Sequence, residues 1–238
     1  MKYIILFLGF FLNNFMASLT FAQDTDLEEK VLEIIRNNPE IVMEAIKILQ
    51  AKDAKKKQEQ VDQNIKSNKQ RLEDDKSAPI LGNPTGEIII VEFFDYNCGY
   101  CRRAFKTVMN LIEDNEAIKV VMREWPILGD GSVFAAKASL ASQNQQKYKA
   151  FHEALMGNRG PHTEKSVLKI AKNIGMDIDQ LKSDMNSSSV LEHLEESQKL
   201  SQSLGISGTP AFVFGEKMVP GAIDFQAMKD LVAQMVSK

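Results

Sequence analysis

A nearly continuous apolar run, Ile88 to Phe94, ends just before Cys98-Gly99-Tyr100-Cys101, and a helical pattern begins there. This junction constrains the chain more than any other feature. The run suits a buried central strand, and the two cysteines stand where strand gives way to helix. They are the only two cysteines among 238 residues, so no disulfide network or cysteine cluster is available. At this spacing and place the pair reads as a redox dithiol. Free N–H groups and the dipole at a helix start favour an anion, and the thiolate is the reactive form of cysteine. Cys98 is therefore the expected nucleophile, exposed at the helix N-terminus. Cys101, one turn further in and less exposed, is expected to resolve the mixed disulfide by attacking Cys98. A structural bridge over two residues closes too small a loop to stabilise much. A structural zinc site wants four ligands, and His152, His162 and His193 lack zinc-finger spacing. Binding of a soft ion such as Cu(I) by the reduced pair stays open.

Residues 1–22 carry the marks of a secretory signal peptide. Lys2 supplies the positive start, Tyr3 to Leu12 is apolar, and Thr20-Phe21-Ala22 offers small residues for cleavage after Ala22. Asn13 and Asn14 interrupt the run before it reaches the ~20 residues of a membrane span. No cysteine stands at the cleavage point, which argues against a lipoprotein. The mature chain is expected outside the cytoplasm, where disulfides form and persist. A net charge of −3 implies no large basic surface for nucleic acid.

Residues 23–76 read as a helical arm, rich in charge and without glycine or aromatics after the leader. Leu27, Val31, Ile34 and Ile35 share one helical face. Asn38-Pro39 interrupts the pattern. A second helix is expected from Pro39, with Ile41, Val42, Ala45, Ile46 and Leu49 on a face. An isolated amphipathic helix needs a surface to bury its stripe, so the arm is read as an oligomerisation region and the protein as a homo-oligomer. The Pro/Gly-rich stretch Ser77 to Gly86 is read as a connector and the domain boundary is set near residue 77. Beyond it the pattern predicts strand Ile88–Phe94, a helix from Cys98 to about Asn115, strand Ile118–Trp125, a helical block over about 131–204, short strands at Ala211–Phe214 and Met218–Val219, and a closing helix Phe225–Val236. Phe93, Phe94 and Phe105 are core candidates, Trp125 is expected to be packed, and Tyr96 and Asn97 to line the groove. The three histidines receive no role.

That order resembles an α/β thioredoxin fold with a helical insertion, preceded by an N-terminal α-helical arm. The residues that carry the resemblance are Glu92-Phe93-Phe94-Asp95-Tyr96-Asn97-Cys98-Gly99-Tyr100-Cys101 and Gly208-Thr209-Pro210. Together they resemble the DsbA-like family of exported disulfide oxidoreductases, and the arm resembles the ScsC-type subgroup, whose members can be oligomeric. The resemblance implies a periplasmic thiol–disulfide oxidoreductase that forms or reshuffles disulfides in other exported proteins. Its substrates are unfolded or partly folded chains, its electrons pass to or from a membrane redox partner, and no organic cofactor is implied. It further implies a cis Pro210, with Thr209 pairing its backbone with an extended substrate. Glu92, an acid inside a buried strand, is expected to have a raised pKa; the resemblance gives it the proton of Cys101. Gly99 and Tyr100 hold the place where strongly oxidising relatives carry a histidine. Neither is cationic, so the resemblance points to a milder oxidant. Oxidase, isomerase and reductase directions all remain open.

Overall fold

The computed structural model describes residues 26–237; the signal-peptide reading of residues 1–22 lies outside the described residues. The chain divides into two compact units, residues 1–58 and 59–238. In the first unit, helix α1 (26–37) is followed by α2 (Glu40–Ser67), which continues through the boundary. Asn38 ends α1: its backbone N–H and its side-chain amide both donate to the Ile34 carbonyl, each at 2.9 Å. Pro39 has no N–H to continue the ladder. Leu27, Val31, Ile34, Ile41, Val42, Ile46 and Leu49 are all exposed in the single chain.

The second unit begins well before the connector at which the sequence places a boundary, and this corrects the reading of residues 59–76 as arm. The charged composition there hides three apolar residues with a partner: Ile65 and Leu72 are buried and Val61 packs beside them, in one cluster with Val91, Phe93, Val121 and Val213 of the sheet. Helix α3 (Lys69–Glu73) carries Leu72. The supposed connector contains strand β1 (Ile80–Gly82), which pairs antiparallel with β3 (Ile118–Glu124).

The sheet has the order β1-β3-β2-β4-β5, with β2 (Ile88–Phe94), β4 (Ala211–Phe214) and β5 (Lys217–Pro220) completing it. Strands β2 and β3 run parallel, joined through α4 (Gly99–Asp114); β4 is antiparallel to β2 and β5 to β4. Being central, β2 is buried on both faces, which is why its sequence shows no alternation. One face takes Ile88, Ile90 and Phe94 and packs against α4 and α10 (Phe225–Val236) together with much of the helical insert. The opposite face takes Val91 and Phe93 and packs against Leu200 and Leu204.

Helices α5 (Asp130–Ala141), α6 (Tyr148–Gly157), α7 (Glu164–Asn173), α8 (Ile178–Asp184) and α9 (Ser188–Ser203) lie between β3 and β4. Their ends are written locally. Thr163 and Ser166 form a capping box, Asp177 caps α8, and Asp224 caps α10. Gly205, with φ +67°, takes the left-handed turn after α9. Trp125 is packed, as the sequence suggests, but in the cluster on the face away from the dithiol. Among the described residues no helix is long and apolar enough to cross a membrane.

Candidate active site

Cys98 is the N-cap of α4, and its sulfur accepts from the Cys101 N–H at 3.3 Å. Both cysteines are free thiols. Hydrogen bonds from the Cys101 thiol, the Thr209 side chain and the N–H groups of Cys101 and Tyr100 outweigh burial and lower the Cys98 pKa to about 6. One contact opposes them: the thiol donates to the Thr209 carbonyl at 3.2 Å, which favours the neutral form. Several donors face a single acceptor, so the thiolate prevails. The expectation that Cys98 is exposed is corrected. It is 6% accessible, because the Thr209 backbone lies against its sulfur.

Cys101 is wholly buried, and burial pushes its thiol pKa far up, with the hydrogen bond to Cys98 and the nearby Glu92 charge adding to the shift. Glu92 sits in the middle of β2, paired with Met122 and Phe212. Burial, and then the charge of Cys98, raise its pKa to about 8. The site therefore joins a thiol inclined to ionise, a thiol held neutral and a carboxyl that titrates between their ranges. The Thr209–Pro210 peptide bond is cis. Thr209 and Pro210 line a cleft of about 560 Å³ with Tyr100, Ile206, Met218 and Pro220. Gly99 is exposed, and a Cβ there would meet nothing within 4 Å, so sterics do not demand glycine. Tyr100 is exposed beneath the Arg103 guanidinium, 4.3 Å from the ring centroid. The dipeptide is uncharged, yet a cation stands beside it that the sequence reading does not credit.

Tyr96 does not line the groove. It is buried, with its hydroxyl 2.6 Å from Ser139 Oγ and 2.8 Å from His152 Nδ1. Burial lowers His152 to about 3, so this histidine is neutral. Tyr148 donates to Glu124 at 2.8 Å, and Glu124 stands 3.1 Å from His193. Arg123, also buried, pairs with Asp75. The sequence reading assigns nothing to these residues. The signal available was the charge of Arg123-Glu124 ending a strand that is apolar apart from Lys119, since ionisable groups are buried only with partners. Asp95 is the other omission. Its buried carboxylate accepts from the N–H groups of Asn97, Ile127 and Leu128 and from the Ser132 hydroxyl.

The family model described as DSBA-like thioredoxin domain matches residues 89–233. The chain is similar to a thioredoxin-like oxidoreductase from Silicibacter pomeroyi DSS-3, with 47% identity, a TM-score of 0.71, and coverage of 72% of this chain and 99% of that one. It is similar to Proteus mirabilis ScsC in a transitional conformation, at 29% identity and TM-score 0.68, over 91% of this chain and 98% of that one. Among curated relatives, the probable disulfide bond formation protein D of Bacillus cereus is 26% identical over 172 residues, 66% of this chain and 78% of the relative. The chain also matches a sodium/proton antiporter, NhaA 1 of Salinispora arenicola, but spans only 24% of that protein's length.

Proposed function

Because the chain belongs to the DsbA-like thioredoxin-domain family of thiol–disulfide oxidoreductases, we propose that it forms or reshuffles disulfide bonds in exported proteins of the bacterial periplasm, with Cys98 as nucleophile. The observation that carries this reading is the opposed state of the two thiols: Cys98 lowered to about 6, Cys101 buried and raised, Glu92 at about 8 beside them. In the reducing direction the Cys98 thiolate attacks a substrate disulfide and expels one substrate thiolate, giving a mixed disulfide, from which a second substrate thiolate could instead displace Cys98 and complete an isomerisation. Cys101 then gives its proton to Glu92 and attacks the Cys98 sulfur. The Cys98–substrate bond breaks, the second substrate thiolate leaves, and Cys98–Cys101 is oxidised. In the oxidising direction a substrate thiolate attacks Cys98, and Cys101 leaves and takes a proton from Glu92.

Thr209, beside Cys98 and at the edge of the cleft, supports recognition of an extended chain by backbone pairing. Gly99 and Tyr100 lie at the mouth of the same site. A Cys98 pKa of about 6 lies between the values of about 7 for thioredoxin and about 3.5 for DsbA, which supports a moderate oxidant. The exposed apolar residues of α1 and α2 support self-association, and with it an isomerase that acts as a homo-oligomer. A membrane redox partner would restore the working state of the dithiol, and residues 1–22 would direct export. The test is refolding of a scrambled multi-disulfide protein by the mature chain and by a chain beginning at residue 59. Recovery of activity by the mature chain alone supports the oligomeric isomerase. Equal oxidation of reduced substrate by both supports a monomeric oxidase and removes the arm from the reaction.

A further inference from the structure

Asp95 is bonded to the local frame of both thiols, and the reaction described above gives it no part. Its carbonyl accepts from the Cys98 N–H at 3.1 Å. Its Oδ1 accepts from the Asn97 N–H at 2.7 Å, which closes an Asx turn inside the same four residues. Its own N–H favours the Cys101 thiolate, against the burial that opposes it. The turn over residues 95–98 leaves Cys98 with φ −75° and ψ 116°, the extended backbone of a helix cap. From that backbone the Cys98 sulfur meets the Cys101 N–H.

The remaining bonds of the carboxylate reach away from the dithiol. Oδ1 also accepts from the Ser132 hydroxyl at 2.7 Å, and Oδ2 accepts from the Ile127 and Leu128 N–H groups at 2.8 and 3.0 Å. Asn97 repeats the attachment: its amide donates to Ser132 Oγ at 3.0 Å, and its side-chain oxygen accepts from the His162 N–H at 2.7 Å. A Cβ on Gly131 would stand 2.0 Å from the His162 carbonyl, so that backbone passes tightly against α5. Four donors thus fill both oxygens of a carboxylate that is 1% accessible. An amide has a single acceptor oxygen and cannot serve both pairs. The other ionisable groups around the turn are Glu92 of β2, Arg102 of α4, which donates to the Tyr96 carbonyl, and His162, which feels the Asp95 charge. On charge alone a carboxylate in this turn disfavours a neighbouring thiolate. What it supplies is geometry.

We propose that Asp95 is the positioning residue of the dithiol: its carboxylate fixes the turn that seats Cys98 as the cap of α4, and bonds that turn to the β3–α5 loop and to α5. This rests on the reading of Cys98 as nucleophile. The N–H donors to the Cys98 sulfur lie on α4, whereas Cys98 itself is placed by the turn that precedes the helix. Hydrogen bonds weaken steeply as their angles close, so a turn free to shift would lose the N–H groups of Cys101 and Tyr100. The same shift would withdraw the Asp95 N–H from Cys101, whose ionisation the resolving step needs. Three of the four donors to the carboxylate belong to Ile127, Leu128 and Ser132. The start of the helical insert therefore acts on Cys98 through Asp95.

The test is Asp95→Asn in the full mature chain. It is read by alkylation of Cys98 against pH, with peptide mapping, and by redox equilibrium with glutathione at pH 8. Loss of position and loss of charge move the Cys98 midpoint in opposite directions. Loss of position should raise it from about 6 to about 7. A weaker thiolate stabilises the reduced form less. The constant for reduction of the dithiol by glutathione should therefore fall about tenfold, which makes the couple about 30 mV more reducing. An unmoved or lowered midpoint overturns the proposal, because removal of the charge then accounts for the whole effect. A raised midpoint with an unmoved glutathione constant overturns it too, since linkage requires the two to agree. If Asp95→Asn does not fold, Ser132→Ala takes its place. It removes one donor from Oδ1 and the partner of the Asn97 amide, and should raise the midpoint to about 6.5; an unmoved midpoint overturns the proposal. A parent whose Cys98 neither alkylates nor exchanges with glutathione sinks the nucleophile assignment itself. A parent with the expected midpoint beside an unmoved variant sinks only the role of Asp95.

Discussion

The Cys101 N–H donates to the Cys98 sulfur at 3.3 Å, so the proposed nucleophile caps the helix that carries the thiol proposed to resolve it. One interaction stabilises the Cys98 thiolate, orients α4 and keeps the second thiol a single turn away. The same geometry buries Cys101, and burial keeps it protonated until the reaction needs it.

The first consequence concerns reactivity against pH. In the reduced protein, alkylation of Cys98 should rise through a midpoint near pH 6, while Cys101 stays unreactive across the neutral range. The Cys98 pKa is depressed on folding. The stability it lends the reduced form is therefore present above the unfolded thiol value and is lost as pH falls through about 6. Rapid-mixing alkylation followed by peptide mapping measures both thiols, and a Cys98 midpoint near 9 would contradict the capped thiolate.

Glu92→Gln separates chemistry from stability. The carboxylate accepts a proton only when ionised, so resolution of a mixed disulfide should accelerate with pH as Glu92 ionises, below its value of about 8 in the reduced protein because the Cys98 charge is then absent, and that inflection should vanish in the variant. Folding shows the opposite sign. A carboxyl raised from 4.5 to about 8 binds its proton more tightly when folded, so stability falls as pH rises through that interval. Glutamine removes this cost, on the order of 3 kcal/mol at pH 7. Urea denaturation at pH 5 and pH 8 should show a gain that grows with pH; a gain independent of pH would mean Glu92 does not titrate there.

Residues 59–76 should behave as part of the globular unit. Ile65 and Leu72 are 2% and 1% accessible, and truncating either to alanine should cost about 2–5 kcal/mol. A chain beginning at residue 77 should accordingly unfold at much lower urea than one beginning at residue 59. Equal midpoints for the two chains would return the boundary to the connector.

Asp75 guards a buried cation. Arg123 is fully buried and pairs with it, so Asp75→Ala should cost about 3 kcal/mol by leaving that charge alone. Burial tends to raise the Asp75 pKa, but the Ser77 hydrogen bonds and Arg123 outweigh it and the net shift is downward. Its contribution is present above the unfolded carboxylate value and fades as pH falls through the lower folded one. Acid titration of stability should therefore lose a step in Asp75→Asn.

Some of this was legible in the chain and some was not. Strand β2 declared itself because a central strand is apolar on both faces, and α4 because its helical pattern follows directly. Strand β1 was hidden: Ile80-Leu81-Gly82 is a short edge element inside a proline- and glycine-rich stretch, too short to display a period. Val61, Ile65 and Leu72 were hidden by the charges around them, which face water. Tyr96 next to the dithiol looked like a groove residue, because adjacency in sequence says nothing about which way a side chain turns.

By itself the sequence determined the strand–helix junction, the place of the two cysteines on it and the acid in the strand beneath, since apolar runs, turn residues and residue spacing act over short range. Only the tertiary structure decided how those residues behave. The backbone of Thr209, distant along the chain, covers the Cys98 sulfur; the walls of the core raise Glu92 and Cys101; and Asp95 finds Ile127 and Leu128. Dielectric environment and hydrogen-bond partners are properties of what folds against a residue, and no local pattern carries them.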